Sequence, residues 1–299
     1  VEVILFLLNE MVYNSYLIGQ TMLSLYLILK MYYLTIKYGM SEQGTVALAL
    51  YAGGLSWIRI RKYEKGFEMG QIALALSKRY PNSFVAVQVP FQVYLYSNRW
   101  GNSLRSNTEP LKSILRWELE LGNITYAGTS ATICIFYSIL AGIPLNQIVT
   151  DINEMIAEFT KLQITSPTIT LTVMRNFALA LRSNDFGSSE LLYDNLPVEL
   201  VKLIQQQDNY QISDNLFNHI IYAGFNLILN YFSGNLERVL QIGEPLVAKS
   251  TIFGNNPVWN SIFLYYPLAA LELHKVKKDK SLLKIFHKYH KIYKRWAQA

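Results

Sequence analysis

Two stretches decide how this chain folds. The first is Lys62-Tyr63-Glu64-Lys65-Gly66-Phe67-Glu68-Met69-Gly70-Gln71-Ile72-Ala73-Leu74. The second is Asn235-Leu236-Glu237-Arg238-Val239-Leu240-Gln241-Ile242-Gly243-Glu244-Pro245-Leu246-Val247. Aligned without a gap, they place apolar or small residues at the same offsets: Tyr63, Gly66, Phe67, Gly70, Ala73 and Leu74 against Leu236, Val239, Leu240, Gly243, Leu246 and Val247. The spacing i, i+3, i+4, i+7 is one face of an α-helix, and polar residues fill the other face in both. Gly70 and Gly243 fall at the same point of that face. Glycine there costs about 1 kcal/mol of helix propensity, so its presence predicts close approach of a neighbouring helix.

The punctuation repeats as well. Breaks fall near Gly39, Pro81, Gly122, Thr165, Asn209 and Gly254, and a second series near Arg61, Gly101, Gly142, Asp185, Gly234 and Val276 lies between them. The first series recurs every ~40 to 45 residues, longer than the ~34 of a standard tetratricopeptide unit. The expected architecture over residues 1–299 is a single all-α array, a tetratricopeptide-like α-solenoid of about seven antiparallel helix pairs. Local signals agree. Ser166-Pro167 and Asn256-Pro257 read as a cap followed by proline at the first helical position. Ser233-Gly234-Asn235 offers a left-handed stop and the next cap. Leu145 to Leu162 reads as an amphipathic helix with Ile148, Ile152, Met155, Ile156 and Phe159 inward. Pro90, Pro110, Pro197 and Pro245 fall where helix is expected and should kink or end it, with a broken helix around Pro197.

At 299 residues the chain exceeds the usual size of a single core, which calls for two domains or an elongated array. Apolar residues make up 51% and charged ones 16%, enough apolar surface to offset the ordering entropy. Cys134, the one cysteine, excludes an intrachain disulfide and a multi-cysteine zinc site, and reads as a small buried residue in a reducing compartment. The histidines are His219, His274, His287 and His290. His287 and His290 share a helix face but stand among lysines, which repel a cation, so no metal ligand is expected.

The net charge of +6 is concentrated between Lys275 and Arg295, where nine basic residues face a single acid, Asp279. A nucleic-acid binder would spread its charge over a groove-sized surface, so this helix reads as a solvated face. Leu121 to Thr150 and Ser250 to Leu271 carry no charge and Met11 to Leu29 is nearly apolar, which raises a multi-pass membrane protein as the alternative. Polar residues and turn signals interrupt all three runs, and helices buried on several sides also look apolar all round. The chain opens at Val1 and stops at Ala299 just after an amphipathic run, which reads as a segment of a longer protein.

No catalytic pattern is found. The chain has no phosphate-binding Gly-Lys-Ser/Thr loop, no His-Arg-Asp triplet, no Gly-x-Ser-x-Gly and no His-Glu-x-x-His. Glu118 and Glu120 are two apart, point to different sides of a helix and read as solvated surface charge. The 21 tyrosines, 14 phenylalanines and 5 tryptophans could line a small-ligand site, but at helical spacing they read as core, with Trp57, Trp100 and Trp296 packing between helices near turns. The expected catalytic, cofactor-binding and metal residues are therefore none, and no cofactor is expected.

Several stretches together resemble a known region. They are Leu29-Lys30-Met31, Tyr38-Gly39 and Ala47-Leu48-Ala49-Leu50-Tyr51, followed by the Tyr63 to Leu74 helix. Then come Glu118-Leu119-Glu120-Leu121-Gly122-Asn123, Tyr231-Phe232-Ser233-Gly234-Asn235-Leu236-Glu237 and the closing Lys294-Arg295-Trp296-Ala297. In order and spacing they resemble the tetratricopeptide-like helical region of large multidomain signalling proteins. Those proteins combine a serine/threonine-kinase-like domain and an AAA/STAND-type ATPase with GAF, PAS and histidine-kinase modules. The resemblance implies a cytoplasmic, non-catalytic protein-interaction or regulatory scaffold inside a parent that is an ATP-dependent protein kinase. Its partners would be other proteins or flanking domains of the same chain, not nucleic acid or membrane. The apolar N-terminus and Pro245 depart from the family pattern.

Overall fold

The computed structural model describes residues 1–56, 60–183, 192, 216–249 and 258–296. The expectations placed on Trp57, Asp185, Pro197, Asn209, Gly254, Asn256-Pro257 and Ala297 lie outside them. The described residues form thirteen α-helices and no strand. They divide into two units, one from the described residues up to Ala141 and one from those from Gly142 onward.

The first unit holds α1 (Glu2–Leu17), α2 (Thr21–Tyr38), α3 (Glu42–Leu55), α4 (Tyr63–Ser77), α5 (Val85–Gln92), α6 (Thr108–Glu120) and α7 (Ile124–Leu140). Helices α1 and α2, α3 and α4, and α6 and α7 pack as pairs, and short turns make each pair antiparallel. Alternate helices also touch, α1 on α3 and α3 on α5, which puts α3 at the centre. Its Val46, Ala47, Leu48, Ala49 and Leu50 are all buried, packed with Leu27, Met31, Ala73, Val89 and Val93. Each such side chain contributes roughly 1.5–3 kcal/mol when fully withdrawn from water.

The second unit holds α8 (Leu145–Lys161), α9 (Thr165–Ser183), α10 (Leu216–Phe232), α11 (Leu236–Lys249), α12 (Val258–Lys277) and α13 (Lys280–Trp296). Pairs form between α8 and α9, α10 and α11, and α12 and α13, while α10 also touches α12. Phe177 of α9 meets Phe225 of α10 with ring centroids 4.4 Å apart.

Turn chemistry explains most boundaries. Gly39, Gly122, Gly142 and Gly234 adopt φ of 97°, 71°, 67° and 78°, the left-handed region that a side chain would strain, just past the ends of α2, α6, α7 and α10. Asn235 Oδ1 accepts from the Arg238 amide at 3.4 Å and caps α11. Helix α8 buries Ile148, Ile152, Met155 and Phe159, with Ile156 half-buried.

Several expectations shift. Ser166 and Pro167 lie inside α9 rather than before it, which the fold tolerates because first-turn amides have no intrahelical acceptor. The same reason lets Pro110 stand as the third residue of α6. Val276 is still helical, and the turn comes at Lys278, φ 58°. A further turn at Gly19, φ 75°, divides the near-apolar run Met11 to Leu29 into two helices. Pro90 sits in α5 just before a π turn at Val93–Ser97, where the helix widens after losing a donor. Pro245 does not end α11, which runs on to Lys249.

No described helix is long and apolar enough to cross a membrane. The run Leu121 to Thr150 is uncharged because α7 is enclosed: Tyr126, Ala127, Ala131 and Ile133 through Tyr137 are all buried. The run Ser250 to Leu271 contributes the buried Val258, Trp259, Ile262, Phe263 and Tyr266 of α12.

Candidate functional site

The third apolar run behaves differently. Helix α2 turns Thr21, Ser24, Leu27, Met31 and Thr35 inward. Its outward stripe is Met22, Tyr26, Leu29, Tyr33 and Ile36. On α1, Leu5, Asn9, Val12 and Ser15 are buried while Ile4, Leu7, Met11 and, just past its end, Ile18 point out. These nine outward side chains are between 45% and 66% exposed. The hairpin is thus inverted, with its more polar residues inside and its more apolar ones in water. The inner polar atoms are satisfied locally: Ser15 Oγ and Ser24 Oγ are 2.8 Å apart, Ser15 also donates to the Val12 carbonyl at 2.9 Å, and Thr35 Oγ1 donates to the Met31 carbonyl at 2.9 Å.

The outward stripe of α2 steps 4, 3, 4, 3 along the chain, and that of α1 steps 3, 4, 3, 4 when Asn14 is included. This 3.5-residue period is the seam by which one helix packs along another. Exposed single apolar residues are ordinary, whereas a contiguous patch of this kind marks an interaction surface. In sequence, Met11 to Leu29 reads as a nearly apolar run that raises the membrane alternative. The signal that would have found the surface is the second stripe, offset from the first on the same helix.

The chain matches no protein-family model, no curated protein and no solved structure. Its surface is therefore read from chemistry.

Glu118 corrects a second expectation. It is not solvated: the side chain, on α6, is fully buried, while Glu120 two residues on is exposed. Burial pushes its carboxyl up from 4.5 to about 7; Asn123 pulls the other way, yet neither oxygen meets a donor in good geometry. A carboxylate looks like surface in any sequence, and only neighbours from elsewhere in the chain enclose this one. Tyr13 of α1 and Tyr126 of α7 stack nearby with centroids 4.8 Å apart, and burial raises the hydroxyls of both. Phe91 meets Tyr126 edge-on at 5.5 Å. Burial therefore favours the protonated Glu118 carboxyl near neutral pH.

No group of three His, Cys, Asp or Glu side chains able to hold a metal occurs among the described residues. His287 and His290 are exposed on α13, His290 stacked on Phe286 at 5.4 Å. The lysines and Arg295 of the basic segment are exposed, as a solvated face requires. Cys134 is buried, its Sγ 3.5 Å from the Thr108 carbonyl. Trp100 stacks on Tyr63 at 4.1 Å and Trp296 on Phe263 at 5.9 Å, the interhelical packing expected of them.

Proposed function

We propose that this chain is a non-catalytic protein-interaction array, its helix pairs continuing one another as a tetratricopeptide-like α-solenoid. In this reading it is a cytoplasmic regulatory scaffold of a multidomain signal-transduction protein with kinase and AAA-type ATPase modules. One observation carries the array: the two matched helices use the same glycine in the same way. Gly70 of α4 lies against Val93 and Ser97 of the following π turn, and Gly243 of α11 lies against Tyr266 of the following helix. A recurring seat for the next helix is what a repeat unit requires. The signalling context rests on the resemblance of the sequence to such regions. The alternative, a multi-pass membrane protein, is supported less well, since no described helix is long and apolar enough to span a bilayer.

The reading frame on either side tests the context. Kinase or ATPase motifs upstream and a sensor module downstream are the expected result; a frame encoding neither overturns the signalling assignment. Phosphotransfer or ATP hydrolysis by the 299-residue chain alone would overturn the non-catalytic one.

A further inference from the structure

We propose that the outward seam of the α1–α2 hairpin is a self-association surface, on which the hairpin of a second copy of this chain packs to form a four-helix interface. Inverted polarity is the first ground. A helix pair that keeps Asn9, Ser15, Thr21, Ser24 and Thr35 inside and Tyr26, Leu29, Tyr33 and Ile36 outside gains by covering its outer face. With the flanking Val3, Phe6 and Leu23, also exposed, the seam offers on the order of 1,000 Å² of largely apolar side chain, above the ~800 Å² per partner of a standard interface. The 3.5-residue period suits a helix running alongside rather than a flat or globular partner.

Charge selects the occupant. The only charged residues of α1 are Glu2 and Glu10, and the only ones of α2 are Lys30 and Lys37. An acidic helix beside a basic one is self-complementary under a two-fold axis: α1 of one copy lies on α2 of the other, and both contacts pair unlike charges. Glu10 stands at the midpoint of Glu2–Leu17 and Lys30 at the midpoint of Thr21–Tyr38, each flanking its seam. Helices that meet at their centres bring these two together whichever way they run. Exposed Asn14 interrupts the α1 seam, and a single polar residue in such a seam fixes register and the number of strands. An anionic membrane would meet Glu2 and Glu10 as well as the lysines and gains nothing from the period.

The inference rests on the hairpin and not on the signalling context, so the two fail separately. The test is sedimentation of the 299-residue chain across about 0.5–50 µM, with helicity followed by circular dichroism. A dimer is expected, at least tenfold weakened by Leu7→Glu or Ile36→Glu with helicity unchanged, since both side chains point to water in the single chain. Glu10→Lys should weaken it, and Glu10→Lys with Lys30→Glu should restore it. A helical monomer throughout, or a dimer indifferent to all four substitutions, overturns the proposal. So does a monomer that co-floats with phosphatidylcholine vesicles, which would assign the seam to lipid.

Discussion

Gly243 lies directly beneath the ring of Tyr266, so close that a Cβ added to it would stand 2.2 Å from Tyr266 Cδ2. Gly70 has the same relation to Ser97, with Oγ at 2.4 Å. Alanine is the better helix former by about 1 kcal/mol, so Gly243→Ala would stabilise α11 in isolation. In the folded chain the methyl must displace a buried aromatic ring held within the second unit, which costs more than the propensity returns. We expect a net loss of about 1–2 kcal/mol, read as a lower urea midpoint. Gly70→Ala should cost less, because a serine hydroxyl rotates away more readily than a ring.

Glu118 makes stability depend on pH. Its carboxyl releases its proton at about 7 in the folded chain and near 4.5 when solvated. Between those values the folded state binds more protons than the unfolded one, so stability falls as pH rises through that window and levels off above it. Glu118→Gln removes the charge that must be buried. It should stabilise the chain by on the order of 2–3 kcal/mol above pH 7 and leave it nearly unchanged at pH 4.5. Denaturation midpoints of both chains at the two pH values check this.

Asn98 ties together the irregular stretch between α5 and α6. Its Nδ2 donates to Asn107 Oδ1 at 2.6 Å and to Ser106 Oγ at 3.3 Å, and its Oδ1 accepts from Gln71 Nε2 at 3.1 Å and Asn102 Nδ2 at 2.9 Å. Asn98→Ala strands those partners in a largely buried setting and should cost about 2–3 kcal/mol. Asn98→Asp should be no milder, because it sets a carboxylate oxygen against Asn107 Oδ1. Thermal melts of the two variants give the comparison.

Lys277 and Glu237 meet at 2.7 Å, yet both side chains are more than half exposed. Screened by water and salt, the pair contributes little. Lys277→Ala should change stability by less than about 0.5 kcal/mol, against the large effects at Gly243 and Asn98.

The all-α class and most of the turns were legible because they depend on near neighbours in sequence. Helical periodicity marks α8, glycine marks the ends of α2, α6, α7 and α10, and the matched glycines announce close packing before any partner is known. Where a proline or a cap was misplaced, as at Ser166-Pro167 and Pro110, the first turn of a helix simply does not need the donor that proline lacks.

What the sequence determined by itself is therefore which residues share a helical face, since that follows from 3.6 residues per turn and the preferences of glycine and proline. What each face meets was settled only by the tertiary structure. Glu118 and Glu120 are equivalent as sequence, but Glu118 is enclosed in a cluster with Tyr13 and Tyr126, and Glu120 looks into water. Helix α2 carries two candidate core stripes, and packing against α1 and α3 buries the more polar one. Burial is a property of neighbours distant in the chain, and no local pattern ranks two apolar faces of one helix until one of them has been covered.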